Sequence, residues 1–145
     1  MAARVVLVDD GGRVLLFRGV DPARPEAGTW WITPGGGAED GESLTQTARR
    51  EALEETGQVL PEDLGPVILT KTDEFSFDGQ EYRQTNHFFR VQVAHPQVDY
   101  SGWTDGERQT LHTHRWWTPD ELRRTSETVF PEELLQLLGD HPAGC

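Results

Sequence analysis

With 145 residues, 35% of them hydrophobic and 26% charged, the chain is long enough to bury a core and too apolar for disorder along its whole length. Its 25 acidic residues against 13 basic ones leave a net charge of −12, a field that repels duplex nucleic acid and anionic membrane surfaces. An anionic small molecule is still admissible, because a bound divalent cation reverses the sign locally.

The apolar runs Val5 to Val8 and Val14 to Phe17 flank Asp9-Asp10-Gly11-Gly12-Arg13, a turn signal that predicts two neighbouring antiparallel strands. Residues 19–29 read as a surface loop, Trp30-Trp31-Ile32 as a short strand ending at Pro34, and Gly35 to Gly41 as a second loop. From Glu42 to about Thr56 there is neither Pro nor Gly, and Gly57 stands where a C-cap belongs, which predicts a helix. Pro66 to Lys71 and Tyr82 to Val93 read as strands of one sheet, with a loop over Phe75 to Gln80. His112 to Trp117 reads as a further strand, Pro119 to Arg124 as a helical turn, and Pro131 to Leu138 as a closing helix. The order of elements predicts an α+β or mixed α/β fold with helices packed on a mixed β-sheet. The expectation is a single domain over 1–145, with residues 139–145 as a flexible tail. Cys145, the one cysteine, excludes an intramolecular disulfide and a cysteine-rich zinc site. With no apolar stretch long enough for a signal core or a membrane span, a cytoplasmic location is expected.

The informative stretch runs from Gly35-Gly36-Gly37 through Glu42 to Arg50-Glu51-Ala52-Leu53-Glu54-Glu55-Thr56-Gly57. At about 100° per residue, Glu51, Glu54 and Glu55 share one helix face, where like charges repel by a few tenths of a kcal/mol per pair. A solvated acidic face with Arg49 and Arg50 in compensation is the plain alternative. Three glycines directly before the helix change the balance, since they make sense where backbone turns sharply or approaches a ligand closely. Loop and carboxylates together offer the hard oxygen donors that Mg²⁺ prefers.

This stretch resembles the signature of the Nudix hydrolases at Gly36, Glu42, Arg50, Glu51, Ala52, Glu54, Glu55 and Gly57, over 23 residues from Gly36 to Gln58. Gln58 departs from the family's aliphatic residue. The lead-in Trp31-Ile32-Thr33-Pro34-Gly35-Gly36 and the later Trp116-Trp117-Thr118-Pro119-Asp120-Glu121-Leu122 are also similar to the family. The resemblance implies an α/β/α sandwich that hydrolyses a nucleoside diphosphate linked to another group. It implies Glu51, Glu54 and Glu55 as ligands of Mg²⁺, with Mn²⁺ as substitute, and Arg50 as the residue that orients a glutamate. Glu42 is implied either in the metal shell or as a hold on the helix start. Gly35, Gly36 and Gly37 fall in the substrate-binding loop. The metal would neutralise phosphate oxygens and lower the pKa of a bound water. Glu107, in Thr104-Asp105-Gly106-Glu107-Arg108, is implied as a further ligand or as the base for the attacking water, against the alternative of a solvated loop acid.

Phe75 and Phe77 are candidates for stacking on a base; Trp103, Trp116 and Trp117 are read as core or base-stacking residues, with core favoured for the Trp116-Trp117 strand. His112 and His114 share a strand face and are read as exposed strand residues rather than a metal pair. The expected partner is a small nucleotide or nucleotide derivative, met by a monomer or homodimer. The rivals are a catalytically silent nucleotide-binding module, a structural acidic domain, and an isoprenoid diphosphate isomerase, for which the lone terminal Cys145 is no obvious catalytic thiol. Short patterns that separate the family's subgroups are absent downstream of Gly57, so the substrate stays open.

Overall fold

Strand β1 (Ala2–Val8) is apolar on both sides, unlike a half-exposed strand that alternates. Its burial follows from its place in the middle of the fold. In the computed structural model, which describes residues 1–24, 26, 28–94, 97–99, 102–103 and 111–139, β1 pairs in parallel with β6 (Gln80–Gln92) along its whole length, from Ala2 with Asn86 to Val8 with Gln92. Its other edge is shared. The first residues pair antiparallel with β4 (Gly35–Gly37), and Val8 alone meets Val14 of β2 (Val14–Val20).

The remaining strands are β3 (Thr29–Ile32), β5 (Leu69–Phe77), β7 (Leu111–Trp117) and β8 (Val129–Phe130). Among the described residues they make one mixed sheet in the order β5-β6-β1-β2-β3-β8, with β4 beside β1 and β7 beside β2. Helix α1 (Leu44–Thr56) lays Ala48 and Ala52 on one face, against Ala3, Val5, Leu7, Leu15, Phe17 and Phe89. Helices α2 (Pro119–Arg124) and α3 (Leu134–Gly139) cover the other with Leu122, Leu134 and Leu138, against Val6, Val14, Leu16, Trp31 and Trp117. The α/β fold with helices on a mixed sheet is the expected one.

Several boundaries differ from the sequence reading, each for a physical reason. Gly35 to Gly37 is a strand, because Ala2 to Arg4 offers it an antiparallel edge. The first turn of α1 starts at Leu44 rather than Glu42, since Ser43 caps it: its Oγ accepts from Gln46 N while Gln46 Oε1 accepts from Ser43 N. The expected loop over Phe75 to Gln80 is a two-residue turn, Asp78-Gly79, with φ of 50° and 78°. That is the Asp-Gly hairpin signal, legible in the sequence, and it lengthens both flanking strands. The closing helix begins three residues late, at Leu134, and β8 is unannounced by any local pattern. Among the described residues no helix is long and apolar enough to cross a membrane. Glu107, Asp105, Cys145 and most of the expected tail lie outside the described residues, as does the side chain of His112.

Candidate active site

Helix α1 is closed at both ends by its own sequence: the Ser43–Gln46 capping box at the start, and Gly57 in the left-handed region (φ 75°), whose N–H donates to Leu53 O, at the end. Its buried positions are Thr47, Ala48, Glu51, Ala52, Glu55 and Thr56. The stripe that packs on the sheet therefore carries two carboxylates. Glu51 is 9% and Glu55 4% exposed, and burial of this kind is costly unless the charges find donors or cations.

The glycine strand supplies part of the answer. Gly35 N donates to Glu55 Oε1 at 2.7 Å. A Cβ on Gly36 would stand 2.5 Å from Glu51 Oε1, and one on Gly35 (φ 150°) would press on Ala3 O and 2.7 Å from Arg4 Cα. Gly35 is required by the backbone of β1, whereas at Gly36 a side chain would displace the Glu51 carboxylate.

Arg50 supplies the rest. Its Nε donates to Glu42 Oε2 (2.7 Å), its Nη1 to Glu51 Oε1 (3.1 Å) and Glu54 Oε2 (3.3 Å), and its Nη2 to Glu42 Oε1 (2.9 Å) and Gly37 O (3.0 Å). Each of the five guanidinium hydrogens has an acceptor. The hydrogen bonds to Glu42 push the Arg50 pKa up, against its burial, with Glu51 adding to the rise. Glu42 is drawn down to about 2, first by Arg50, then by the N–H of Glu39. Thr47 Oγ1 also donates to Glu42. Glu42 thus ties the loop before α1 to Arg50, one of its two expected roles.

Among the described residues no three His, Cys, Asp or Glu side chains stand as a ready metal cage. The donor chemistry nevertheless fits a hard divalent cation: carboxylate oxygens from Glu51, Glu54 and Glu55 on adjoining turns, with no sulfur beside them. Arg50 bridges one oxygen each of Glu51 and Glu54 and so holds the two carboxylates in register.

Other groups at this end of α1 had no local signal. Trp103 Nε1 donates to Glu55 O at 2.6 Å while its ring packs edge-on against Phe17. Trp103 is thus a core residue, Trp117 is buried as expected, and Trp116 packs half-buried against the α1-side core. Gln58, the departure from the family pattern, donates from Nε2 to Gln97 O and so replaces aliphatic packing by a hydrogen bond. His114 sits half-buried against Phe17, and burial lowers its pKa.

Arg4 stands out in the sequence as a cation inside an otherwise apolar strand. Its Nε donates to Asn86 Oδ1 (3.2 Å) and its Nη1 to Thr33 O (2.9 Å). Gln84 Nε2 also donates to Asn86 Oδ1.

Phe75 and Phe77 lie on the β5–β6 hairpin. Phe75 stacks on Tyr82 with centroids 5.4 Å apart, and Phe77 meets Trp30 edge-on at 6.4 Å. The hairpin tip is tethered, since Asp21 Oδ1 accepts from both Asp78 N and Ala23 N. Phe77 is thereby held against the edge of β3, whereas Phe75 and Tyr82 remain exposed.

Comparison with known proteins gives a consistent result. A family model described as the NUDIX domain matches residues 1–138. An RNA pyrophosphohydrolase of Novosphingobium aromaticivorans is 38% identical over 139 residues, spanning 81% of this chain and 76% of that one. A second RNA pyrophosphohydrolase, from Dinoroseobacter shibae, is 31% identical and spans 70% and 73% of the two chains. The crystal structure of a MutT NUDIX hydrolase from Burkholderia pseudomallei superposes with a TM-score of 0.66 at 19% identity, covering 94% of this chain and 95% of that one, a likeness of fold.

Proposed function

The chain belongs to the NUDIX domain family, a Nudix hydrolase that cleaves a pyrophosphate bond, and from that premise we propose that its substrate is a small nucleoside diphosphate derivative and its cofactor Mg²⁺, replaceable by Mn²⁺. The observation that carries the proposal is the pair of buried carboxylates, Glu51 and Glu55, set against a glycine strand in which Gly36 touches Glu51 and Gly35 N donates to Glu55. Burial beside Glu54 favours a bound divalent cation over a solvated acidic face, because such a cation offsets the repulsion that the spacing creates. Glu51, Glu54 and Glu55 would hold it. The intact Glu51, Glu54 and Glu55 argue for a hydrolase over a silent binding module.

When bound, the cation supplies charge neutralisation at the anhydride oxygens. The protein's own groups hold the acids in register: Arg50 fixes Glu51 and Glu54 and ties both to Glu42, and Gly35 N fixes Glu55. Gly36 and Gly37 leave the strand bare for the phosphates to approach. Glu107 is proposed, on the sequence resemblance, as a further ligand or as the base for the attacking water. Phe75 and Phe77 are proposed as contacts for the base.

A second reading comes from the two relatives named RNA pyrophosphohydrolases: a triphosphorylated RNA end as substrate. The net charge of −12 opposes a long polyanion, and favours the small nucleotide. The test is a panel of nucleoside triphosphates, dinucleoside polyphosphates, nucleotide sugars and a short triphosphorylated RNA. Products are separated by chromatography, and the attacked phosphorus is read from incorporation of labelled water oxygen. Cleavage of a small nucleotide with a divalent cation present, abolished by chelator, is the expected result. Exclusive cleavage of the RNA selects the second reading, and cleavage of nothing in the panel rejects both.

A further inference from the structure

Arg4 is out of place in its strand. Ala2, Ala3, Val5, Val6, Leu7 and Val8 are all buried and Arg4 is half-buried among them, a costly place for a guanidinium with no anionic partner. Yet among the described residues Arg4 has no ion pair, and both of its hydrogen bonds go to neutral acceptors, Asn86 Oδ1 and Thr33 O. Among the described residues two of its five N–H groups are engaged, through Nε and Nη1, and Nη2 takes part in neither bond.

The contrast with Arg50 is chemical. Arg50 has every N–H bound to the protein, so it orients the acids and has no donor left for a ligand. Arg4 is fixed in direction by β6 and by the corner between β3 and β4, and it keeps a full charge and free donors. Gly35 makes room for it, since a side chain there would press on Arg4 Cα and Cγ. Thr33, 1% exposed, has its Oγ1 unpartnered at the same corner. The guanidinium lies within the field of Glu55 and Glu51; burial lowers its pKa, and the two carboxylates act in the opposite sense.

We propose that Arg4 is a substrate-binding residue that donates to a phosphoryl oxygen of the anhydride lying alongside Glu51 and Glu55. The inference rests on the hydrolase reading and adds a residue outside the signature stretch. It also explains how so acidic a chain holds an anionic substrate: the metal-binding acids face one part of the phosphate chain, and a preset cation faces another. A guanidinium suits this task because its planar fork matches a phosphate in geometry as well as charge.

The test uses the full chain with Arg4→Lys, Arg4→Met and Arg4→Gln. Affinity for inorganic tripolyphosphate and, separately, for guanosine is measured by calorimetry with Mg²⁺ present, and thermal melts check folding. KM and kcat are taken on whichever compound the wild type cleaves. Tripolyphosphate affinity should fall about 10- to 100-fold in Arg4→Met, the range for loss of a charged hydrogen bond. KM should rise in parallel with kcat within about threefold, guanosine affinity should be unchanged, and Arg4→Lys should recover part of the loss. If Arg4→Met does not fold, Arg4→Gln, which keeps amide donors for Asn86 and Thr33, decides in its place. Wild-type tripolyphosphate affinity in a folded uncharged variant, a loss confined to guanosine, or no tripolyphosphate binding by the wild type overturns the proposal. Failure of the wild type to cleave any compound rejects the substrate reading instead, while the tripolyphosphate titration still judges Arg4.

Discussion

The acidic face of α1 packs on the middle of the sheet and the β5–β6 hairpin runs along its edge, and their side chains are held in opposite ways. On α1, Glu42, Glu51, Glu54 and Gly37 O all converge on Arg50, Gly35 N and Trp103 Nε1 fix Glu55, and glycine leaves no slack between strand and helix. Along the hairpin most side chains from Thr70 to Arg83 are exposed, and the Asp78 turn is anchored by Asp21. The first arrangement suits chemistry that tolerates little displacement. The second suits recognition, where an aromatic face can vary without disturbing the reacting groups.

The sharpest way to break this contrast is Glu55→Gln. The amide is isosteric and can still accept from Gly35 N, so the fold should persist while kcat falls at least about 10²-fold, the scale of a lost charged group at a reacting centre. Glu54→Gln should behave likewise. Wild-type rates in both variants at saturating Mg²⁺ would remove them from the catalytic set.

On the hairpin, Phe77→Ala should raise KM by roughly 5- to 100-fold, as expected for a lost base stack, with kcat little changed. Phe75→Ala should do less, because Tyr82 still offers its ring on the same face. Equal effects of the two, or a fall in kcat without a change in KM, would mean that the hairpin is not a recognition surface.

A smaller effect tests the acidic end without any substrate. Cation bound by the native carboxylates should raise the thermal midpoint, by about 2.7 kcal/mol of stability at a hundredfold excess over Kd. Melts with chelator and with Mg²⁺ or Mn²⁺ measure it, and Glu55→Gln should shrink the difference. Coincident midpoints for the wild type would favour a solvated acidic face.

The smallest expected effect is the pH dependence of Glu42→Gln. Its carboxyl is held at about 2 against an ordinary 4.5 by Arg50 and the Glu39 N–H. A group whose pKa is depressed by folding stabilises the fold above about pH 4.5, and the contribution is lost as pH falls towards 2. Wild type and variant should therefore differ in thermal midpoint at pH 7 and converge near pH 2. Solvent screening keeps the difference modest. A gap that is the same at both pH values would show that the carboxylate charge is not what ties the loop to Arg50.

What the sequence by itself determined was local. Ser43, Gln46 and Gly57 mark the ends of α1 because caps satisfy backbone groups within one turn, and the spacing of Glu51, Glu54 and Glu55 puts them on one face by helical geometry alone. Asp78-Gly79 carries its turn in its own two residues. What tertiary structure decided was every contact between distant segments. Gly35 to Gly37 is a strand only because β1 offers an edge; Arg4 meets Asn86 across 82 residues because β1 and β6 run in parallel register; and Phe77, unlike Phe75, is covered because Trp30 and Asp21 lie beneath the hairpin tip. Such pairings depend on which surfaces fit together once the core has formed, and no short window of residues carries that information.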